Sequence, residues 1–276
     1  MSSKSDLLRR QRRWADAHGV RYDARAFVRG LADNLRAPLT PAVRAELERG
    51  SELAARGAMP PRMHSLASSA ALVVNVFGHW RERSLAPLVA ALGFDGGERA
   101  SLTFEEPLPT ELPGEPPLAD VALHWLNGDL VPVESKFTEW FVRRPHNKRV
   151  FKDKYFPAGA GLGVWSVVAL PRCQALAEDL QSGCERFKYL NAAQLLKHVL
   201  GLAKLGKRRA VVYLYYEWPS RAADVHRAEL ERVRQRLDLE VDLRVLTYQR
   251  LFASLRVAPN VDRDYLDYLA ERYFGS

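Results

Sequence analysis

Apolar positions along this chain recur mostly every three or four residues, and in a few short stretches every second residue. The clearest two-residue alternation runs from Ala119 to Trp125 and again from Leu130 to Phe137, where Val121 and Leu123 face Val131 and Val133 across Asn127-Gly128. This pattern predicts two adjacent antiparallel strands closed by a tight hairpin turn. Ala100 to Glu105 reads as a preceding strand, joined to the hairpin by residues 107–117, whose five prolines exclude regular structure. Arg209 to Trp218 is apolar enough for a central strand, and Val241 to Leu246 is a further one. Helical periodicity covers Cys173 to Gln181, Tyr189 to Leu205, Ala222 to Leu237, residues 247–255 and the tail 265–274.

Upstream, residues 64–78 are nearly free of charge and predict a helix buried against the sheet, with Ser65 at its start and Gly78 at its end. A second helix is expected from about Trp80 to Leu92. Residues 1–60 read as charged helices over 7–18, 25–36 and 41–57, with Thr40 capping a helix that begins at Pro41. The fold class expected is α/β: a central mixed β-sheet flanked by helices over 61–276, preceded by a helical extension at 1–60.

Composition adds a partner class. With 276 residues, 47% of them hydrophobic, the chain can bury a substantial core. Its formal charge of +8 favours an anionic partner such as nucleic acid, although a basic proteome gives the same excess. Cys173 and Cys184 lack paired spacing, so neither a zinc site nor a disulfide framework is expected, and a reducing cytoplasm fits. No signal-peptide core and no long apolar run is visible, so a soluble, cytoplasmic protein without a membrane partner is expected.

The hairpin carries the candidate chemistry. Pairing its arms brings Asp120 and Glu134 to one end, and Lys136, two residues beyond Glu134, shares that face. Two carboxylates suit a hard divalent cation, and an ammonium beside them can orient a water or offset phosphate charge. An Asp, a spacer, then Glu-x-Lys on the next strand resembles the PD-(D/E)XK nuclease superfamily, with Ala119 where the usual proline precedes the acid. Residues 62–256 also resemble uncharacterised bacterial restriction-endonuclease-like proteins, through a serine-rich segment running into Asn75-Val76-Phe77-Gly78, with Ala70 where a glutamine is expected. The resemblance implies a restriction-endonuclease-like core and a DNA endonuclease. Its Mg²⁺ or Mn²⁺ would be held by Asp120, Glu134 and the Ser135 carbonyl, and Lys136 would orient the attacking water.

Related nucleases place Gln-x-x-x-Tyr beside the metal, and Gln194-x-x-x-His198 is similar with His in place of Tyr. Many relatives also carry an acid on the first core helix. Residues 64–81 contain none, which leaves Glu82, or Glu105 and Glu106 from the neighbouring strand; for the last two a polar strand end is the simpler reading. Asn75 reads as a cap for a buried backbone group.

After the hairpin, Arg143, Arg144, Lys148, Arg149, Lys152 and Lys154 are interleaved with aromatic residues, a composition suited to phosphate contacts. Arg9, Arg10, Arg12 and Arg13 read instead as a solvated helix face. A homodimer is one assembly the sequence allows. Two other functions stay open: a catalytically inactive nucleic-acid-binding module of the same fold, and an interaction protein whose hairpin acids are surface residues.

Overall fold

The hairpin forms the middle of a five-stranded mixed sheet in the computed structural model, which describes residues 3–55, 57–142, 150–157 and 163–275. Strands β1 (Ala100–Pro107), β2 (Leu118–Trp125) and β3 (Leu130–Lys136) run antiparallel, and β4 (Ala210–Tyr215) and β5 (Asp242–Thr247) continue the sheet parallel to β3. Every residue of β4 is buried, as its unbroken apolar run requires of a strand covered on both faces.

Pairing of Val121 with Val133 and His124 with Leu130 is the register that the alternation predicts. The turn differs. Gly128 N–H donates to the Trp125 carbonyl and Trp125 N–H to the Asp129 carbonyl. Gly128 has φ +84°, while Asn127 is not among the residues with positive φ. The connection is therefore a three-residue loop ending on a left-handed glycine rather than a two-residue turn at Asn127-Gly128.

Helices close both faces. Val121, Leu123, Val131, Val133, Val212 and Leu214 share one core with α3 (Ser69–Phe77), α4 (Ala86–Ala91), α8 (Tyr248–Val257) and α9 (Arg263–Leu269). On the other face Val211, Tyr213 and Tyr215 pack with α5 (Pro171–Ser182), α6 (Ala192–Lys204) and α7 (Arg221–Leu237). Gly201 lets α6 seat closely: a β-carbon there would meet the Leu108 carbonyl oxygen at 2.6 Å.

The amino-terminal residues join the first of these cores. Leu7 of α1 (Ser3–Ala17), and Val43 and Leu47 of α2 (Pro41–Arg49), are buried in it. Thr40 Oγ1 accepts from Val43 N–H at 3.3 Å, the cap expected before Pro41. Arg272, fully buried, donates to the Asn34 carbonyl and lies over the Trp14 ring, while its own carbonyl accepts from Gln11 Nε2. Arg10 is turned inward to the Tyr216 hydroxyl, and Arg12 bonds the Ala24 carbonyl.

Three helix expectations are corrected. The helix expected over 25–36 is reduced to a short 3-10 turn, Leu31–Asn34. Asp23 Oδ1 accepts from the backbone N–H of both Arg25 and Phe27, a local alternative to helical bonding. The helix expected over 80–92 shrinks to α4, because Pro87 lacks the N–H that an interior position needs and belongs in the first turn. Ser68, not Ser65, caps α3, accepting from Ala71 N–H at 3.2 Å. Among the described residues no helix is long and apolar enough to cross a membrane.

Candidate active site

Two strands part company at the end of the hairpin, and the acids sit where they part. The last ladder pair of β2 and β3 is Val121 with Val133, so Asp120 and Glu134 come one position later. Strand alternation puts both on the face opposite the two valines. Across this gap Ser135 N–H donates to Asp120 Oδ2 at 2.6 Å. Ser135 points its hydroxyl to the other face, 2.7 Å from the Tyr248 hydroxyl, which ties β3 to α8. Beyond the strand, Glu139 Oε2 accepts from the N–H groups of Phe137 and Thr138 and turns the chain.

Glu134 is 1% exposed and ion-paired with Lys136, whose side chain is 14% exposed. His198 comes down from α6, fully buried, with Nδ1 3.6 Å from Glu134 Oε2 and Nε2 3.2 Å from the Leu118 carbonyl. Gln194, one helical turn earlier, accepts from Asn191 Nδ2 at 3.1 Å and lines a cleft shared with His198. The helix thus presents His198 to the acids and Gln194 to the cleft.

Glu105 joins from β1, although the sequence favours a polar strand end there. It is buried, has φ +47°, and stands between the pairs Phe104–Val121 and Glu106–Ala119, opposite Asp120. Gly50 leaves room for it, since a β-carbon at residue 50 would fall 2.6 Å from Glu105 Oε2. Its neighbour Glu106 turns away, accepting from the Thr103 hydroxyl near His124. Glu82 is exposed and lines a different pocket, with Arg36 and Thr40.

The electrostatics follow from crowding acids in a place poor in water. Burial, then the Glu134 charge, pushes Asp120 up to about 7, with Lys136 and the Ser135 N–H opposing. Burial, then Asp120, Glu52 and Glu134, pushes Glu105 up to about 8. Burial disfavours the Lys136 ammonium, yet Glu134 and Asp120 outweigh it and hold the group firmly protonated. Burial lowers His198 to about 4, so its ring is neutral at physiological pH.

This donor set fits a hard divalent cation. Carboxylate oxygens are its preferred ligands, and the repulsion that raises Asp120 is what a doubly charged ion relieves. Among the described residues no group of three or more His, Cys, Asp or Glu is arranged to hold a metal ion. Of the basic segment, Arg143, Arg144, Lys148 and Arg149 lie outside the described residues. Lys152 is exposed, and Lys154 donates to the Pro113 carbonyl at 2.5 Å.

A mixed sheet sandwiched by helices, with Asp120 and Glu134-Ser135-Lys136 where two strands diverge, defines a restriction-endonuclease-like protein. The chain belongs to the family described as restriction endonuclease associating with ARP, which matches residues 4–274. Neither the curated proteins nor the solved structures searched gave a match.

Proposed function

We propose that the chain is a metal-dependent endonuclease that hydrolyses DNA phosphodiester bonds. The observation that carries this reading is the convergence of Asp120, Glu134 and Lys136 at the end of the hairpin, with Ser135 N–H fixing the first acid. Asp120, Glu134 and the Ser135 carbonyl would hold Mg²⁺ or Mn²⁺, which when bound lowers the pKa of water and offsets phosphate charge.

The chain's own residues then have distinct tasks. Lys136, kept charged by Glu134, orients the attacking water and faces the anionic phosphate. His198, neutral and donating its Nε2–H to the Leu118 carbonyl, packs its Nδ1 edge beside Glu134 Oε2 and bounds the carboxylate on the side away from Lys136. Lys152, with Arg143, Arg144, Lys148 and Arg149, supplies phosphate contacts that set affinity without reading sequence.

Incubation of the purified chain with labelled single-stranded and duplex DNA tests this. Cutting in Mg²⁺ or Mn²⁺ that stops in EDTA is expected. Steeply salt-dependent binding with no cutting of either substrate would instead favour the inactive binding module.

A further inference from the structure

The acids are recessed, and what can reach them is set by the openings around them. Beside His198 lies a cleft of about 480 Å³, between residues 113–118 and one face of α6. His198 is among its lining, and Lys152, Lys154 and Lys197 stand around it with Asn191 and Gln194. Lys197 Nζ lies 5.3 Å from the Tyr155 ring and Lys154 Nζ 5.4 Å from the same ring, which is itself buried and anchors the two cations at the cleft. The acid on the lining is Glu115, which is exposed on the proline-rich segment.

Cations and side-chain amides around one cleft suit an unpaired strand: ion pairs for its backbone and partners for base edges. The size of the cleft decides between strand states. Pockets of about 300 to 1,000 Å³ take ligands of small-molecule size. A duplex, whose major groove alone is about 12 Å wide, cannot enter. One or two nucleotides of a single strand can.

The geometry points to unpaired DNA as the substrate of this site, held in the cleft by Lys152 and Lys197 with Asn191 and Gln194 at its bases, beside the buried His198 whose ring abuts Glu134. This rests on the nuclease reading above and names its substrate class. Duplex ends that fray, flaps and gaps would then be cut where an unpaired segment can enter.

Fluorescence anisotropy with a dye-labelled twelve-nucleotide deoxyoligonucleotide, and with the blunt duplex of the same sequence, tests this in EDTA so that nothing is cut. The single strand should bind about ten-fold tighter than the duplex, and Lys152→Ala and Lys197→Met should each weaken it by about three- to ten-fold, with the salt slope falling by about 0.7 per lysine. Lys152 is exposed, and methionine keeps most of the Lys197 stem over the rings, so neither change should unfold the chain. Equal affinity for duplex and single strand, or unchanged affinity in both variants, would overturn the cleft. Parallel reactions in Mn²⁺ separate the two readings. Equal cutting of both DNA forms, untouched by the lysine changes, removes the cleft and keeps the nuclease. Single-strand binding through these lysines with no cutting keeps the cleft and removes the nuclease.

Discussion

Ser135 donates its backbone N–H to Asp120 Oδ2 at 2.6 Å, a side-chain bond in the place where the next rung of the β2–β3 ladder would fall. The hairpin can therefore open at this end without leaving that donor unsatisfied, and the opening makes space between the two acids. One contact joins fold and chemistry.

Asp120→Asn and Asp120→Ala should separate these roles. Asparagine retains an oxygen for the Ser135 N–H and removes a charge that Glu134 and Glu105 oppose, so Asp120→Asn should melt at or above the wild-type temperature. Alanine leaves the donor unpaired and should cost about 1 to 3 kcal/mol. Mn²⁺ binding, followed by electron paramagnetic resonance, should be lost in both. Retention of full Mn²⁺ affinity by Asp120→Asn would remove this residue from the metal ligands.

The hairpin was legible in the sequence because strand alternation is local: Val121, Leu123, Val131 and Val133 set the register, and the register places Asp120 and Glu134. The helix at 25–36 was misread because apolar spacing there competes with Asp23 bonding its own backbone. Glu105 was discounted for a different reason. A glutamate at a strand end is ordinarily solvated, and what buries this one is packing from residues near Gly50, far away in sequence. Sequence spacing brought His198 to notice only through resemblance; its contact with Glu134 depends on how closely α6 seats.

That seating gives a second prediction. Gly201→Ala places a methyl carbon 2.6 Å from the Leu108 carbonyl oxygen, so helix or loop must shift. Overpacking of this kind costs about 1 to 3 kcal/mol. Urea denaturation should show the loss. The displaced His198 should also slow cutting more than it weakens DNA binding. Wild-type stability in this variant would mean that α6 has slack against Leu108.

His226 supplies a pH signature away from the acids. It is fully buried, stacks on Trp140 and lies 3.0 Å from the Tyr213 hydroxyl, and burial lowers its pKa from 6.5 to about 3. Below its unfolded value the denatured chain takes up a proton that the native ring refuses, so this contribution to stability is present above pH 6.5 and is lost as the pH falls toward 3. The slope approaches about 1.4 kcal/mol per pH unit. His226→Phe keeps a ring against Trp140 and cannot titrate. Between pH 7 and 5, wild type should lose roughly 2 kcal/mol more than the variant, measured by denaturant unfolding at each pH. Parallel losses in the two proteins would show that His226 is not held neutral.

The central claim is that Glu134 and Lys136 do chemistry and do not supply affinity. The most direct test is one preparation each of wild type, Glu134→Gln and Lys136→Ala, assayed on the same labelled DNA for cutting in Mn²⁺ and for binding in EDTA. The account predicts that both variants lose cutting by at least about a hundred-fold, the scale expected when a group acting in the transition state is removed, while binding stays within about three-fold of wild type because phosphate contacts elsewhere set affinity. Cutting that survives in both variants would contradict it.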